Sequence, residues 1–71
     1  MERDICRQFG KRLVKLRTRR GLTQEALAEK AGISTKYLQN LEGKRPKKAT
    51  IVSLQKLANG FGMPLWKLLK F

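Results

Sequence analysis

Residues 21–43 read GLTQEALAEKAGISTKYLQNLEG, and the punctuation of this stretch decides the fold. Gly21 stops any helix that precedes it, and Thr23 places a hydroxyl where it can accept from the open amides of a following helix. Glu25 falls in the first turn of that helix, where negative charge suits the positive end of the dipole. The helix predicted over Thr23 to Lys30 carries Leu27 with Ala26, Ala28 and Ala31, small residues against which a neighbouring helix can come close. Gly32, Ile33 and Ser34 then form a tight link. Glycine supplies the left-handed position after a helix end, Ile33 plugs the core and Ser34 caps the helix predicted from Thr35 to Glu42.

Two short helices joined by a three-residue turn containing glycine make a helix-turn-helix motif. Upstream of it, Ile5, Phe9, Leu13 and Leu16 recur at helical spacing and form one apolar stripe of a first helix, Arg3 to Arg19. Downstream, Gly43 leads into Lys44-Arg45-Pro46-Lys47-Lys48, a charged loop because proline forbids helix there. A fourth helix carries Ile51, Leu54, Leu57 and Ala58 and ends near Asn59-Gly60, with Phe61 folding back on the core. Pro64 suits the first turn of a fifth short helix that holds Leu65, Trp66, Leu68 and Leu69 up to Phe71. The expected architecture is therefore all-α, with five helices in one domain spanning residues 1–71.

Composition narrows the function. The 71 residues hold 17 Lys+Arg against 5 Asp+Glu, a formal net charge of +12, with no His and one Cys. With 41% of residues hydrophobic the chain can pack a core, so disorder is rejected despite the charge. Cys6 cannot form an internal disulfide, and without His no Cys/His metal constellation can assemble, so no metal or cofactor is expected. The five carboxylates, Glu2, Asp4, Glu25, Glu29 and Glu42, are scattered at helix-surface spacing, which weighs against enzyme chemistry. No apolar run approaches a membrane span or a signal segment, so a cytoplasmic protein without a membrane partner is expected. The charge points to nucleic acid.

At about 100° per residue, Leu38 and Leu41 of the third helix fall together as its buried stripe, and Thr35, Lys36, Gln39 and Asn40 fall on the opposite side. These residue types read base edges: Lys meets guanine O6/N7, Asn or Gln pairs with adenine N6/N7, and the Thr methyl packs on the thymine methyl. An ordinary solvated face is the plain alternative. Gln24 at the start of the second helix, where free amides and the dipole attract anions, is a candidate phosphate contact. Tyr37 either packs in the core or extends its hydroxyl to a phosphate. Lys44, Arg45, Lys47 and Lys48 can lie along the sugar-phosphate backbone, with Arg45 placed for a minor groove; Arg19 and Arg20 are further backbone candidates. At the C-terminus Leu65, Leu68 and Leu69 should close the core, while Leu65, Trp66, Leu69 and Phe71 offer more apolar surface than one short helix need bury. Part of it is expected to form a homodimer seam.

From Phe9 to Leu69 the chain resembles the Xre/Cro-like helix-turn-helix proteins, which include phage repressors and small restriction-modification controllers. The resemblance is carried by Leu16-Arg17, Gly21-Leu22-Thr23-Gln24-Glu25-Ala26-Leu27-Ala28, Ala31-Gly32-Ile33-Ser34, Tyr37-Leu38-Gln39-Asn40-Leu41-Glu42-Gly43, Thr50-Ile51, Leu57-Ala58 and Phe61-Gly62. Met63 departs from it, standing where the family usually has a capping Ser or Thr, and so does Asn59-Gly60, which weakens the end of the fourth helix. The resemblance implies a lambda-repressor-like fold, base reading led by Thr35, Lys36 and Asn40 ahead of Gln39, and a structural ion pair between Arg17 and Glu42. It also implies a sequence-specific transcription regulator that binds double-stranded DNA at a palindromic operator. The alternatives are the antitoxin of a toxin-antitoxin pair, which would have a protein partner, and a cationic RNA or ribosome binder.

Overall fold

Five helices follow one another: α1 (Glu2–Arg19), α2 (Gln24–Ala31), α3 (Thr35–Glu42), α4 (Ile51–Phe61) and α5 (Leu65–Leu68), with no strand among the described residues. This computed structural model describes residues 2–44, 46 and 48–71, and of Glu2 and Arg3 the helical backbone alone. The expected all-α, five-helix architecture is present, with α2 and α3 as the helix-turn-helix.

The caps form where the sequence puts hydroxyls. Thr23 Oγ1 accepts from the Ala26 amide at 3.0 Å, and Ser34 Oγ accepts from the Tyr37 amide at 3.0 Å. Between them Gly32 takes φ 72°, which lets the Ile33 amide reach back to the Ala28 carbonyl at 3.0 Å and close the helix end. Thr50 and Ser53 cap α4 reciprocally, each hydroxyl accepting from the other's amide at 3.1 Å.

Leu13, Leu27, Leu38, Leu41, Leu57 and Leu68 are fully buried, so every helix sends at least one leucine to the common core. α2 packs on α4, and α1 on α3. Two glycines set how close these pairs come. A Cβ on Gly60 would lie 3.1 Å from three atoms of Ala31, and one on Gly10 would lie 2.5 Å from the Leu41 carbonyl oxygen. The fourth helix ends close to the expected Asn59-Gly60, at Phe61, where Gly62 takes φ 69° and lets the Met63 amide reach the Ala58 carbonyl at 3.0 Å; within the helix, Gly60 is the surface on which Ala31 of α2 rests.

Other expectations change at the margins. Periodicity puts Ile5 on the buried stripe of α1 and Ile51 on the apolar side of α4, yet they are 60% and 73% exposed. Each belongs to the first turns of its helix, and Ile5 borders an open cleft with Phe9, Leu54 and Phe71 instead of the packed centre. The fifth helix, expected up to Phe71, is a single turn. Pro64 is its N-cap and gives it no side-chain acceptor, while the Arg12 guanidinium donates to the Lys67 and Leu68 carbonyls at 2.9 and 3.3 Å. These carbonyls are satisfied across the fold, so continuing the helix gains little. Met63, in place of a capping hydroxyl, packs against the core.

Gly10→Ala tests the α1–α3 contact through the sign of its effect. An exposed mid-helix glycine gains about 0.5–1 kcal/mol on becoming alanine, whereas overpacking against the Leu41 carbonyl costs roughly 1–3 kcal/mol. Urea denaturation is expected to show a net loss of stability; a gain would show that the helices do not meet there.

Candidate nucleic-acid interface

α3 is an amphipathic element pinned from three sides. Ser34 caps its start, Leu38 and Leu41 are 0% and 1% exposed beneath it, and Glu42 anchors its last turn. Lys36 and Gln39 are consequently exposed on the outer side, with Thr35 and Asn40 half-buried at its edges.

Glu42 joins three elements. Its Oε2 accepts from Arg17 Nε of α1 at 2.9 Å, and its Oε1 accepts from Arg17 Nη2 at 3.0 Å and from Gln24 Nε2 of α2 at 2.9 Å. Arg17 also donates from Nη1 to the Leu22 carbonyl at 2.9 Å, which fixes the strand of chain leading into α2. The pair is sheltered, with side-chain exposures of 15% for Arg17 and 4% for Glu42. A bidentate guanidinium–carboxylate contact fixes orientation as well as distance, so the start of α2 and the end of α3 are locked to α1 and to each other.

The proposed phosphate contacts divide according to what each side chain already does. Gln24 spends one amide hydrogen on Glu42 and keeps a second, beside the open amides at the start of α2. Tyr37 is different. Ser53 Oγ donates to the Thr50 carbonyl at 2.8 Å, so the 2.9 Å contact with Tyr37 is made by the tyrosine hydroxyl donating. A phosphate only accepts, and Tyr37 has no proton left for one; its packing role, one of the two expected, is the one the structure displays. Arg20 is likewise occupied, because its guanidinium lies 5.3 Å from the Phe61 ring centroid and donates to the Phe61 carbonyl at the end of α4. Arg19, Lys44 and Lys48 are exposed. Arg45 and Lys47 lie outside the described residues.

At the C-terminus Leu68 is buried and Leu65 half-buried, whereas Trp66, Phe71 and Leu69 are 67%, 49% and 40% exposed. The Phe71 ring lies 6.1 Å from that of Phe9, so the terminal residue is folded over α1 rather than extended. Among the described residues no group of three or more His, Cys, Asp or Glu could hold a metal ion, and no helix is long and apolar enough to cross a membrane.

Residues 10–70 match the family model described as a helix-turn-helix domain. The chain belongs to this helix-turn-helix family. It is 35% identical over 60 residues to an uncharacterised HTH-type transcriptional regulator, y4dJ, of Sinorhizobium fredii, covering 84% of this chain and 77% of the relative. Its fold is similar to the crystal structure of the restriction-modification controller protein C.AhdI from Aeromonas hydrophila. That likeness has a TM-score of 0.82 and 33% identity, covering 89% of this chain and 94% of the controller.

Within this helix-turn-helix frame, sequence reasoning missed three contributors. Arg12 caps α5, Ser53 accepts the hydrogen bond of the Tyr37 hydroxyl, and Gln24 turns part of its amide inward to Glu42. Of these only Ser53 left a sequence signal, the Thr50-x-x-Ser53 spacing before an apolar run.

Removing Arg17 strands a carboxylate that is almost wholly buried. Breaking such pairs costs about 3–5 kcal/mol, and the residual exposure of Arg17 together with the bond from Gln24 brings the expected loss for Arg17→Ala to the lower end. Gln24→Ala is expected to cost about 1 kcal/mol, the usual worth of one hydrogen bond. A double-mutant cycle by denaturation should find the two non-additive; additive losses would mean that Glu42 does not join them.

Proposed function

We propose that this chain acts, as one helix-turn-helix domain, as a sequence-specific transcription regulator of the repressor or controller kind. It reads the major groove of double-stranded DNA with α3 and works without enzymatic chemistry in the cytoplasm. The observation that carries the reading is the outer face of α3: Thr35, Lys36, Gln39 and Asn40 stand over two fully buried leucines, on a helix held in orientation by the Arg17–Glu42–Gln24 node. A helix locked in this way can present base-reading groups at fixed spacing. The relatives' names, a transcriptional regulator and a restriction-modification controller, agree with this role.

Phosphate contacts are assigned to Gln24, Arg19, Lys44 and Lys48, with Arg45 and Lys47 of the same basic loop completing the clamp. One such unit reads only a short half-site, and two recognition helices must stand ~34 Å apart to enter successive major grooves. The exposed Trp66, Leu69 and Phe71, with Leu65 beside them, supply an apolar seam for a homodimer on a palindromic operator.

Selection of bound duplexes from a random library should return a two-fold symmetric site. On that site Lys36→Ala and Asn40→Ala are each expected to cost ~1–3 kcal/mol and to relax preference at one or two base pairs, while Lys44→Ala weakens all duplexes alike. Undiminished discrimination in Asn40→Ala would overturn the placement of α3. In sedimentation, wild type on its operator is expected as two protomers per site and Trp66→Ala as a weaker assembly; one protomer per site for the wild type would exclude the dimer.

A further inference from the structure

We propose that Arg7, Lys11 and Lys15 of α1, with Lys44 behind α3, form a second phosphate-binding groove that seats the DNA backbone where it passes the C-terminal end of the reading helix. The proposal rests on the reading of α3 as the duplex-reading helix and adds three residues of α1 to its contacts.

The position of the groove is the first argument. It is an open furrow between α1 and the end of α3, with Arg7, Lys11 and Lys15 on one wall and Gly43 and Lys44 on the other. Continuing the helical wheel of α3, Gly43 falls between Lys36 and Gln39, on the same stripe as the base-reading residues. The furrow thus begins where the reading face ends. Arg7 Nε donates to the Lys44 carbonyl at 3.3 Å and holds the two walls together.

Charge is the second argument. Glu42 is the carboxylate of this furrow, and both of its oxygens are taken by Arg17 and Gln24. Other guanidinium groups of the fold are employed within it, Arg12 on the α5 carbonyls, Arg17 on Glu42 and Arg20 on Phe61, whereas Arg7 spends only its Nε, on the Lys44 carbonyl. Among the described residues Arg7, Lys11, Lys15 and Lys44 have no carboxylate within ion-pair distance. Arg7, Lys11 and Lys15 also follow one another at i, i+4 and i+8, a like-charge stack that destabilises an isolated helix. Such a stack beside a fourth unpaired cation has the spacing and charge to take successive phosphates of one strand.

The test is a salt titration of duplex binding by wild type, Lys11→Gln/Lys15→Gln, and Lys30→Gln as a charge control in the last turn of α2. The selected duplex and a scrambled duplex are both used. The double variant is expected to bind both duplexes roughly ten- to fifty-fold more weakly at ~0.1 M salt, with the slope of log K against log salt reduced in magnitude by about 2. Its ratio of selected to scrambled affinity should stay that of the wild type, and Lys30→Gln should leave the slope unchanged. Without DNA at low salt the double variant should melt no lower than wild type, since repulsion has been relieved. An unchanged slope, an equal effect per charge in Lys30→Gln, or a lowered melting temperature would each overturn the groove. Loss of polyglutamate binding with DNA binding intact would assign it to an acidic protein and overturn it equally. The α3 reading is judged separately by the affinity ratio of the wild type, so the two can fail independently.

Discussion

The carboxylate of Glu42 takes three hydrogen bonds, two from Arg17 and one from Gln24, and so joins α1, α2 and α3 at one point. With apolar packing alone, an eight-residue helix resting on two leucines could rotate or slide by a fraction of a turn at little cost, because the hydrophobic effect has no direction. A bidentate ion pair with a third donor restricts both movements. Sheltered pairs of this sort add less to stability than their geometry suggests, since desolvation offsets the attraction. Their contribution here is to orientation, which is what a helix needs if it is to bring side chains to base edges.

The excess of positive charge is distributed by task rather than spread evenly. Some guanidinium groups complete the scaffold: Arg12 closes α5, Arg17 holds Glu42, and Arg20 lies against Phe61 at the end of α4. Arginine suits such places because its fixed fork serves several acceptors at once and sheds water more readily than an ammonium group. The lysines Lys11, Lys15, Lys36 and Lys44 stand exposed around the outer side and far end of α3. Net charge by itself would attract any polyanion. The separation between employed and unpaired cations turns a general attraction into a surface with a direction.

Small size explains the apolar residues left outside. A chain of 71 residues has too little interior to cover both ends of its longest helix as well as a terminal turn. Trp66, Phe71 and Ile5 therefore remain largely in solvent, and Phe71 gains only the partial shelter of Phe9. The close approaches at Gly10 and Gly60 compensate in part, bringing backbone against backbone where no side chain intervenes.

Local chemistry made much of this molecule legible from its residues. The capping hydroxyls Thr23 and Ser34, the glycine between them and the leucine spacing of α1 and α3 act over a few positions, so α2, the turn and α3 could be read with their boundaries nearly in place. The outer face of α3 followed from the same periodicity. What the tertiary structure decided are matters of long-range geometry. Where the Tyr37 hydroxyl donates depends on Ser53, sixteen positions away, and where Arg12 and Arg20 end depends on carbonyls of α5 and α4. The approach of Gly60 to Ala31 leaves no local pattern, and Ile5 fits the apolar stripe yet stands 60% exposed. Periodicity records which side of a helix is apolar, but the meeting of two distant segments depends on how whole helices pack, and that is set by the sum of all their contacts rather than by any local pattern.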